Sequence, residues 1–373
     1  MDSLERWQRA GLLDEAAVAR IRAFEAEQGH ESRFGWPVRI AIALGGVLLG
    51  AGILLFVEAQ WDALSPLARF ALVLAMVGGF HAAGAYTLER FPVLGLALHA
   101  LGSVSLGAGI FLCGQIFNLD EHWPGGVLLW AVGATAGLAL VRSWPQLALT
   151  ALLWPAWIGS EWIVRTELVV NAARPLAAGW LLLAIAYLTA LTPDLQTPAR
   201  RSLHWIGLVA FWPLLFFAMA AASESSHAPN AVDSPSWLAG GWLLAIGLPL
   251  AVGYGLHGAR VWTLGIAAAW VVILVAICAN AGGSLEKEPL VYVWCGLGAI
   301  GMIAWGVTES LPSRINLGIA LFGVTLVVFY FTNVFDKLER SASLVVMGVV
   351  FIGAGVLLER TRRRLVRRVS VTP

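Results

Sequence analysis

The sequence predicts an all-α fold, a polytopic membrane helix bundle of about twelve spans built from helical hairpins and preceded by a short cytoplasmic helical region. Composition supports this first: of 373 residues, 59% are hydrophobic and 13% are charged, whereas soluble domains carry about 25% charged residues. Apolar segments of about 20 residues, the length that crosses a bilayer, also recur along the chain after residue 37. The positions of the positive charges between those segments are the third observation.

Residues 1–33 form a polar, helix-prone region that we treat as a separate cytoplasmic segment. Gly11 separates two short helical patterns, and Asp14 is placed to cap the second, with Glu15 in the first turn, where the helix dipole favours negative charge. The second pattern has one apolar side. That side rests either on the membrane and its helices or on a cytoplasmic protein partner.

Twelve apolar segments follow and define a transmembrane bundle over residues 34–358. Their approximate limits are 38–57, 67–88, 93–117, 125–141, 145–160, 173–191, 203–222, 237–256, 260–279, 290–308, 314–332 and 341–358. The fifth is interrupted by Pro155 and closed early by Glu161, which leaves open whether it spans fully. Residues 359–373 form a cytoplasmic polybasic tail.

The positive charges orient this bundle. With the N-terminus inside, 18 of the 24 Lys and Arg residues lie on the cytoplasmic side, as cytoplasmic loops retain positive charge. Both termini are therefore expected in the cytoplasm, with the lipid bilayer as the main partner. The six arginines of the tail set this topology, and anionic lipid headgroups are their expected partners. A net charge of +1 argues against a nucleic-acid partner.

An internal repeat relates the first and third segments. The stretches "LGGVLLGAGILL" at 44–55 and "LGSVSLGAGIFL" at 101–112 agree at nine of twelve positions. Small residues let membrane helices approach closely. We therefore expect helix packing through a shared set of glycines, namely Gly45, Gly50, Gly52, Gly102, Gly107 and Gly109.

Polar residues recur where the odd-numbered segments reach the non-cytoplasmic face, and burying them in lipid would be costly. They predict a polar vestibule between the first and third helices. Its candidate ligand-binding residues are Glu58, Gln60, Trp61, Asp62, Gln115, Asn118, Asp120 and His122. Trp61 would form a flat apolar wall, while the acids and amides would orient a polar or cationic ligand.

The sequence predicts no metal site, no cofactor and no catalytic residue. Acids at a membrane boundary are usually solvated, and no spacing of histidines fixes two ligands on one helical face. There is no nucleophile elbow, no phosphate loop and no paired histidines. The deeper polar candidates are His81, His99, Gln115 and Asn316; a histidine within a membrane helix indicates a functional role, and a hydrogen bond to a neighbouring carbonyl explains it equally well.

Three stretches carry a resemblance to a known family: "LERWQRAGLLDEAAVARI", "LGAGILLFVEAQWDALSPLARF" and "GAGIFLCGQIFNL". Over about residues 1–145 the chain resembles the predicted integral membrane proteins of domain-of-unknown-function family 2157. The resemblance implies a multi-pass protein of the bacterial inner membrane and carries no chemistry with it.

These features favour a non-enzymatic membrane scaffold or sensor with a vestibule on its non-cytoplasmic face. Transport of a small solute or lipid through the same vestibule is the alternative, since twelve spans and repeated hairpins suit a transporter. An intramembrane enzyme is the second alternative.

Overall fold

The computed structural model describes residues 7–8, 10–11, 13–28, 64–116, 122–167, 170–223, 235–281 and 289–333, with isolated positions 44, 48, 348, 353 and 360. The chain divides into two compact units, residues 1–71 and residues 72–373. The helices are α1 (Glu15–Gln28), α2 (Pro66–Thr87), α3 (Pro92–Ile116), α4 (Trp123–Val141), α5 (Trp144–Thr166), α6 (Val170–Leu188), α7 (Pro198–Ser223), α8 (Pro235–His257), α9 (Trp262–Asn280), α10 (Pro289–Thr308) and α11 (Pro312–Asn333). A 3-10 turn, Gly258–Val261, joins α8 to α9.

The part of the chain that the structure describes is helical and contains no β-strand, which confirms the all-α class. In it, nine helical stretches are long and apolar enough to cross a membrane. One of these, Ser236–Asn280, has 45 residues; as a straight helix it would measure about 68 Å, more than twice the hydrocarbon thickness of a bilayer. The 3-10 turn, with Gly258 at a φ of 59°, divides it into α8 and α9.

The second to eleventh predicted segments correspond in order to α2 through α11. The first segment, 38–57, and the twelfth, 341–358, lie outside the described residues. The count of twelve spans and the cytoplasmic placement of residues 1–33 therefore stay predictions.

The expectation that Glu161 closes the fifth segment early is wrong, because α5 continues through Pro155 to Thr166. A proline has no N–H, so it leaves the carbonyl four residues earlier without its helical donor. That carbonyl belongs to Ala151, and the Tyr187 hydroxyl donates to it over 3.0 Å. The bond replaces the missing one, and α5 has 23 residues, enough to span.

Helix α6 forms the centre of the second unit. Of its membrane-spanning window, 78% is buried, against 11–33% for the other candidate spans, and it contacts α5, α7, α8 and α9. Gly207 of α7 allows the closest of these approaches: an added Cβ would lie 2.6 Å from the Ala184 carbonyl oxygen and 2.7 Å from the Leu188 Cα. Two helix backbones are therefore in direct contact here.

Helix α3 contains three of the glycines predicted to pack helices: Gly102, Gly107 and Gly109. Added Cβ atoms there would press on side chains of neighbouring helices, namely His81, Trp130 and Val73 respectively. These glycines thus accommodate large side chains rather than a second backbone. Three further predicted glycines lie outside the described part: Gly45, Gly50 and Gly52.

In the first unit, the predicted cap of the N-terminal region is confirmed. The backbone N–H of Ala17 donates to the Asp14 carboxylate over 2.6 Å, and α1 begins at the next residue, Glu15. Gly11 adopts a φ of 71° in the turn before α1, a conformation that glycine takes without strain. The helix start follows from these local residues alone.

Candidate functional site

Most of the predicted vestibule lies outside the described residues: Glu58, Gln60, Trp61, Asp62, Asn118 and Asp120. The last turn of α3 includes Gln115, but its side chain also falls outside the described part. His122, directly before α4, is described together with its contacts. The vestibule as a whole therefore stays a prediction.

His122 contacts a residue that the sequence analysis treated only as a helix terminator. Its Nε2 lies 3.0 Å from Glu161 Oε2, and the Arg165 Nε donates to that same oxygen over 3.1 Å. The side chains of His122 and Arg165 are 49% and 59% exposed, so the contacts contribute less than about 1 kcal/mol each. The His122 contact joins the start of α4 to the end of α5, whereas the Arg165 contact lies within α5.

Two histidines from adjacent helices form a pair inside the bundle, contrary to the expectation of no paired histidines. The Nδ1 atoms of His81 on α2 and His99 on α3 lie 3.1 Å apart. One Nδ1 must carry the proton and the other must accept it. His99 is buried, and His81 is half-buried. The histidine pair was missed because its members are 18 residues apart and meet only when the hairpin folds.

Each ring of the histidine pair lies against a glycine of the opposite helix. An added Cβ at Gly102 would lie 2.8 Å from the His81 ring, and one at Gly84 would lie 3.0 Å from the His99 ring. Both glycines follow a histidine by three residues, as "HAAG" at 81–84 and "HALG" at 99–102. This repeated spacing, equidistant from the loop at Arg90, is the sequence signal that indicates the pair.

A buried amide links the histidine pair to two further helices. Gln146, near the start of α5, has no exposed surface. Its amide donates to the His99 carbonyl over 3.0 Å and lies 2.8 Å from Ser103 Oγ, which in turn is 3.0 Å from Gln146 Oε1. The Trp130 indole N–H donates to the Ser103 carbonyl over 2.8 Å. Helices α3, α4 and α5 are thus joined by one polar network, which the sequence analysis did not predict.

The C-terminal end of the central helix α6 is held by cationic and imidazole side chains. Arg200 donates to the Ala190 carbonyl over 2.8 Å, and His204 contacts the Leu188 carbonyl at 2.5 Å. His257 Nε2 lies 2.7 Å from the Thr189 carbonyl. The last carbonyls of a helix have no partners within it and carry partial negative charge, which these groups satisfy.

Arg314 completes this arrangement and is itself 2% exposed. Its guanidinium donates to the carbonyls of Thr189 and Leu191 over 2.8 and 2.7 Å, and to Glu309 Oε2 over 2.6 Å. It lies 4.8 Å from the ring centre of Trp305, whose N–H donates to the other Glu309 oxygen. Burying an ion pair is tolerated only when the remaining donors and acceptors of both side chains also have hydrogen-bond partners. The two carbonyls and the Trp305 N–H provide such partners here. From the sequence alone, Arg314 is one of the 18 positive charges on the cytoplasmic side, and nothing there indicates that it is buried.

These polar contacts share one end of the bundle, which we call the arginine end. At this end lie the loops between α2 and α3, α4 and α5, α6 and α7, α8 and α9, and α10 and α11. In these loops or in the helix turns beside them are Arg90, Arg142, Arg200, Arg201, Arg260 and Arg314. The charge rule predicts these loops to be cytoplasmic. Asn316, another predicted polar candidate, is exposed near this end of α11.

Within the described ranges, no three His, Cys, Asp or Glu side chains are grouped closely enough to hold a metal ion. Cys278 and Cys295 are buried and Cys113 is half-buried, all as free thiols.

Comparison with known proteins relates the first part of the chain to a described protein family. The family model described as "Predicted membrane protein (DUF2157)" matches residues 5–147, which confirms the resemblance over residues 1–145. The matched region includes the histidine pair and Gln146. No curated protein and no solved structure matches the chain. Together with its apolar helices, the match identifies a multi-pass membrane protein that is similar, over its first two-fifths, to the DUF2157 family of predicted membrane proteins.

Proposed function

We propose that the protein spans the bacterial inner membrane twelve times, with the arginine end and both termini in the cytoplasm. Residues 1–33 are the cytoplasmic region, 34–358 the transmembrane bundle and 359–373 the basic tail. The charge asymmetry supports this orientation. Reporter fusions at both termini and after Arg142 test it: all three should report cytoplasm, and termini in opposite compartments would contradict it.

We propose further that the protein is a non-enzymatic sensor or scaffold. The observation that carries this is the concentration of buried polar contacts at the arginine end, on the side proposed for residues 1–33. Ionisable side chains inside a membrane bundle are costly and mark functional positions. The proposed ligand site, the vestibule at Glu58, Asp62 and Gln115, is on the non-cytoplasmic side. A ligand bound there would signal through the helices to the polar contacts at the arginine end.

Deleting residues 1–33 tests the sensor role. The truncated protein should insert and unfold at the temperature of the full chain in detergent. In cells, it should reproduce the gene-expression profile of a deletion strain, because the bundle remains but its contact with a cytoplasmic partner is lost. Restoration of the wild-type profile by the truncated protein, or an unchanged profile in the deletion strain, contradicts the proposal.

The vestibule has its own test. Glu58→Gln, Asp62→Asn and Gln115→Ala remove charge or hydrogen-bonding groups at the proposed ligand site. Each should reduce complementation of the deletion strain at normal expression level. Full complementation by all three variants would show that the ligand does not bind there.

Transport is a second candidate, which the histidine pair favours. Two imidazoles in hydrogen-bond contact can pass a proton between helices, as titratable chains do in proton-coupled transporters. Purified protein in liposomes with a pH gradient should then dissipate that gradient faster than empty liposomes, and His99→Gln should abolish the difference. Equal rates for protein and empty liposomes contradict proton-coupled transport.

A further inference from the structure

We propose that a zwitterionic phospholipid with a primary ammonium headgroup binds in a groove between α5 and α8, at the end of the bundle opposite the arginine end. Helix α5 ends there at Thr166 and α8 begins there at Pro235. The two helices enclose a cleft of about 680 Å³. The histidine pair and the network at Gln146 lie near the arginine end, whereas His122, one of the predicted vestibule residues, contacts Glu161 at the mouth of the groove. Neither Arg165 nor Gly240 belongs to the residues proposed for sensing, so substitutions there test lipid binding separately.

Charged groups of both signs lie at the mouth of this groove. The Arg165 Nε is paired with Glu161 Oε2, and in the part of the chain described here its two terminal nitrogens donate to nothing. Both Arg165 and His122 contact one oxygen of Glu161, Oε2, and Oε1 makes no hydrogen bond to the described residues. Arginine nitrogens bind phosphate oxygens strongly, and a carboxylate beside them attracts an ammonium group.

Indole rings surround these charges. Trp157, Trp162 and Trp237 line the cleft, and tryptophan is enriched at the headgroup level of membranes. The Trp162 ring lies over Gly241 of α8 and closes the inner wall.

Below the mouth the groove becomes apolar. It shares Ile158, Trp162 and Leu244 with a narrow crevice that continues along α6. That crevice is lined by prolines from three helices, Pro155, Pro175 and Pro249. Charged groups at the mouth, indoles beneath them and apolar side chains at depth follow the polarity of a phospholipid. A water-soluble anion would leave the apolar part unfilled, and a hydrocarbon would leave the ion pair unsolvated.

The charges decide which phospholipid fits. Among the described residues that line the cleft, Arg165 and Glu161 are the charged ones and their charges balance, so an anionic headgroup gains little there. A headgroup that carries both a phosphate and a primary ammonium can pair with the arginine and with the glutamate. The ammonium is also attracted by the indole faces.

Gly240 allows a direct test, because it lines the cleft and an added Cβ there meets no atom within 4 Å. Gly240→Leu should therefore place a side chain in the groove and obstruct it without disturbing the fold. Gly255→Leu is the matched control: it lies on the same helix, has the same open space and does not line the groove.

Native mass spectrometry of the purified full chain, titrated with phosphatidylethanolamine or phosphatidylglycerol, gives the readout. The wild-type protein and Gly255→Leu should bind phosphatidylethanolamine at least 10-fold more tightly than phosphatidylglycerol. Gly240→Leu should lose this binding by at least 10-fold with an unchanged unfolding temperature, and Arg165→Gln should weaken it about 5-fold or more. Equal binding of the two lipids, or full binding by both Gly240→Leu and Arg165→Gln, overturns the proposal.

Discussion

The indole of Trp130 on α4 lies over Gly107 on α3 and hydrogen-bonds to the carbonyl four residues before that glycine. That carbonyl, of Ser103, already accepts the helical N–H of residue 107. A side chain at 107 would cover it, so glycine is what exposes it to a second donor. Trp270 on α9 repeats this geometry on α10, lying over Gly298 and donating to the Trp294 carbonyl over 3.0 Å. In both pairs a glycine makes room for the indole ring and exposes the carbonyl that the indole N–H uses at the helix contact.

Alanine substitutions at the covered glycines should destabilise the bundle. In Gly107→Ala and Gly298→Ala, the new methyl group displaces the indole and breaks its hydrogen bond, costing about 1–3 kcal/mol. The matched controls are Gly114→Ala on α3 and Gly301→Ala on α10, where an added Cβ meets nothing. There, the better helix propensity of alanine should be neutral or stabilising by up to about 1 kcal/mol. Unfolding in SDS, followed by circular dichroism, measures the difference; equal losses in both sets would contradict this account.

The polar network at Gln146 should stabilise the contact between α3 and α5. Gln146→Leu removes both donors and leaves the His99 carbonyl and Ser103 hydroxyl without this partner. Interhelical hydrogen bonds in membranes contribute modestly, so we expect a loss of about 1–2 kcal/mol in unfolding free energy. Thr308→Val, which removes a hydroxyl bonded only within its own helix turn, is the control and should change little. A Gln146 variant as stable as that control would rule out a structural role for the network.

Tyr187 and Pro155 should show energetic coupling. Tyr187→Phe removes the donor to the Ala151 carbonyl and should cost about 1 kcal/mol. In a Pro155→Ala background, residue 155 regains its own N–H and donates to that carbonyl. The same Tyr187→Phe change should then cost less than half as much. A double-mutant cycle of unfolding free energies measures this, and strict additivity would show that the hydroxyl does not replace the missing helical bond.

Arg314 should be more sensitive to substitution than arginines elsewhere at the arginine end. Removing one partner of a buried ion pair costs about 3–5 kcal/mol, so Arg314→Ala should be strongly destabilised or fail to accumulate. Arg314→Lys should recover only part of this, because an ammonium cannot reach Glu309 and two carbonyls with the geometry of a guanidinium.

Two further variants control for charge itself. Arg201→Ala, at an exposed position on α7, should stay within about 0.5 kcal/mol of wild type. Arg314→Met combined with Glu309→Met should be less destabilised than Arg314→Ala, since no unpaired charge is then buried. Thermal unfolding in one detergent orders the four proteins, and tolerance of Arg314→Ala would show that the ion pair is dispensable.

The sequence alone determined the helical class, the order of α2 to α11 and the N-cap at Asp14. These properties depend on neighbouring residues: hydrophobic runs of membrane length, turn residues between them and a capping side chain beside the first turn. Pro155 and Glu161 were misread as an end of α5 because the donor that compensates for the proline, Tyr187, lies on another helix.

Only the tertiary structure decided which polar side chains meet. His81 reaches a partner 18 residues away, Ser103 one 43 residues away and Arg314 one 125 residues away. No local pattern encodes such contacts, because in lipid every apolar face is equally soluble and helix pairing depends on shape and hydrogen bonds. Glycine positions and buried polar groups select the partners, and they act only once the helices are side by side.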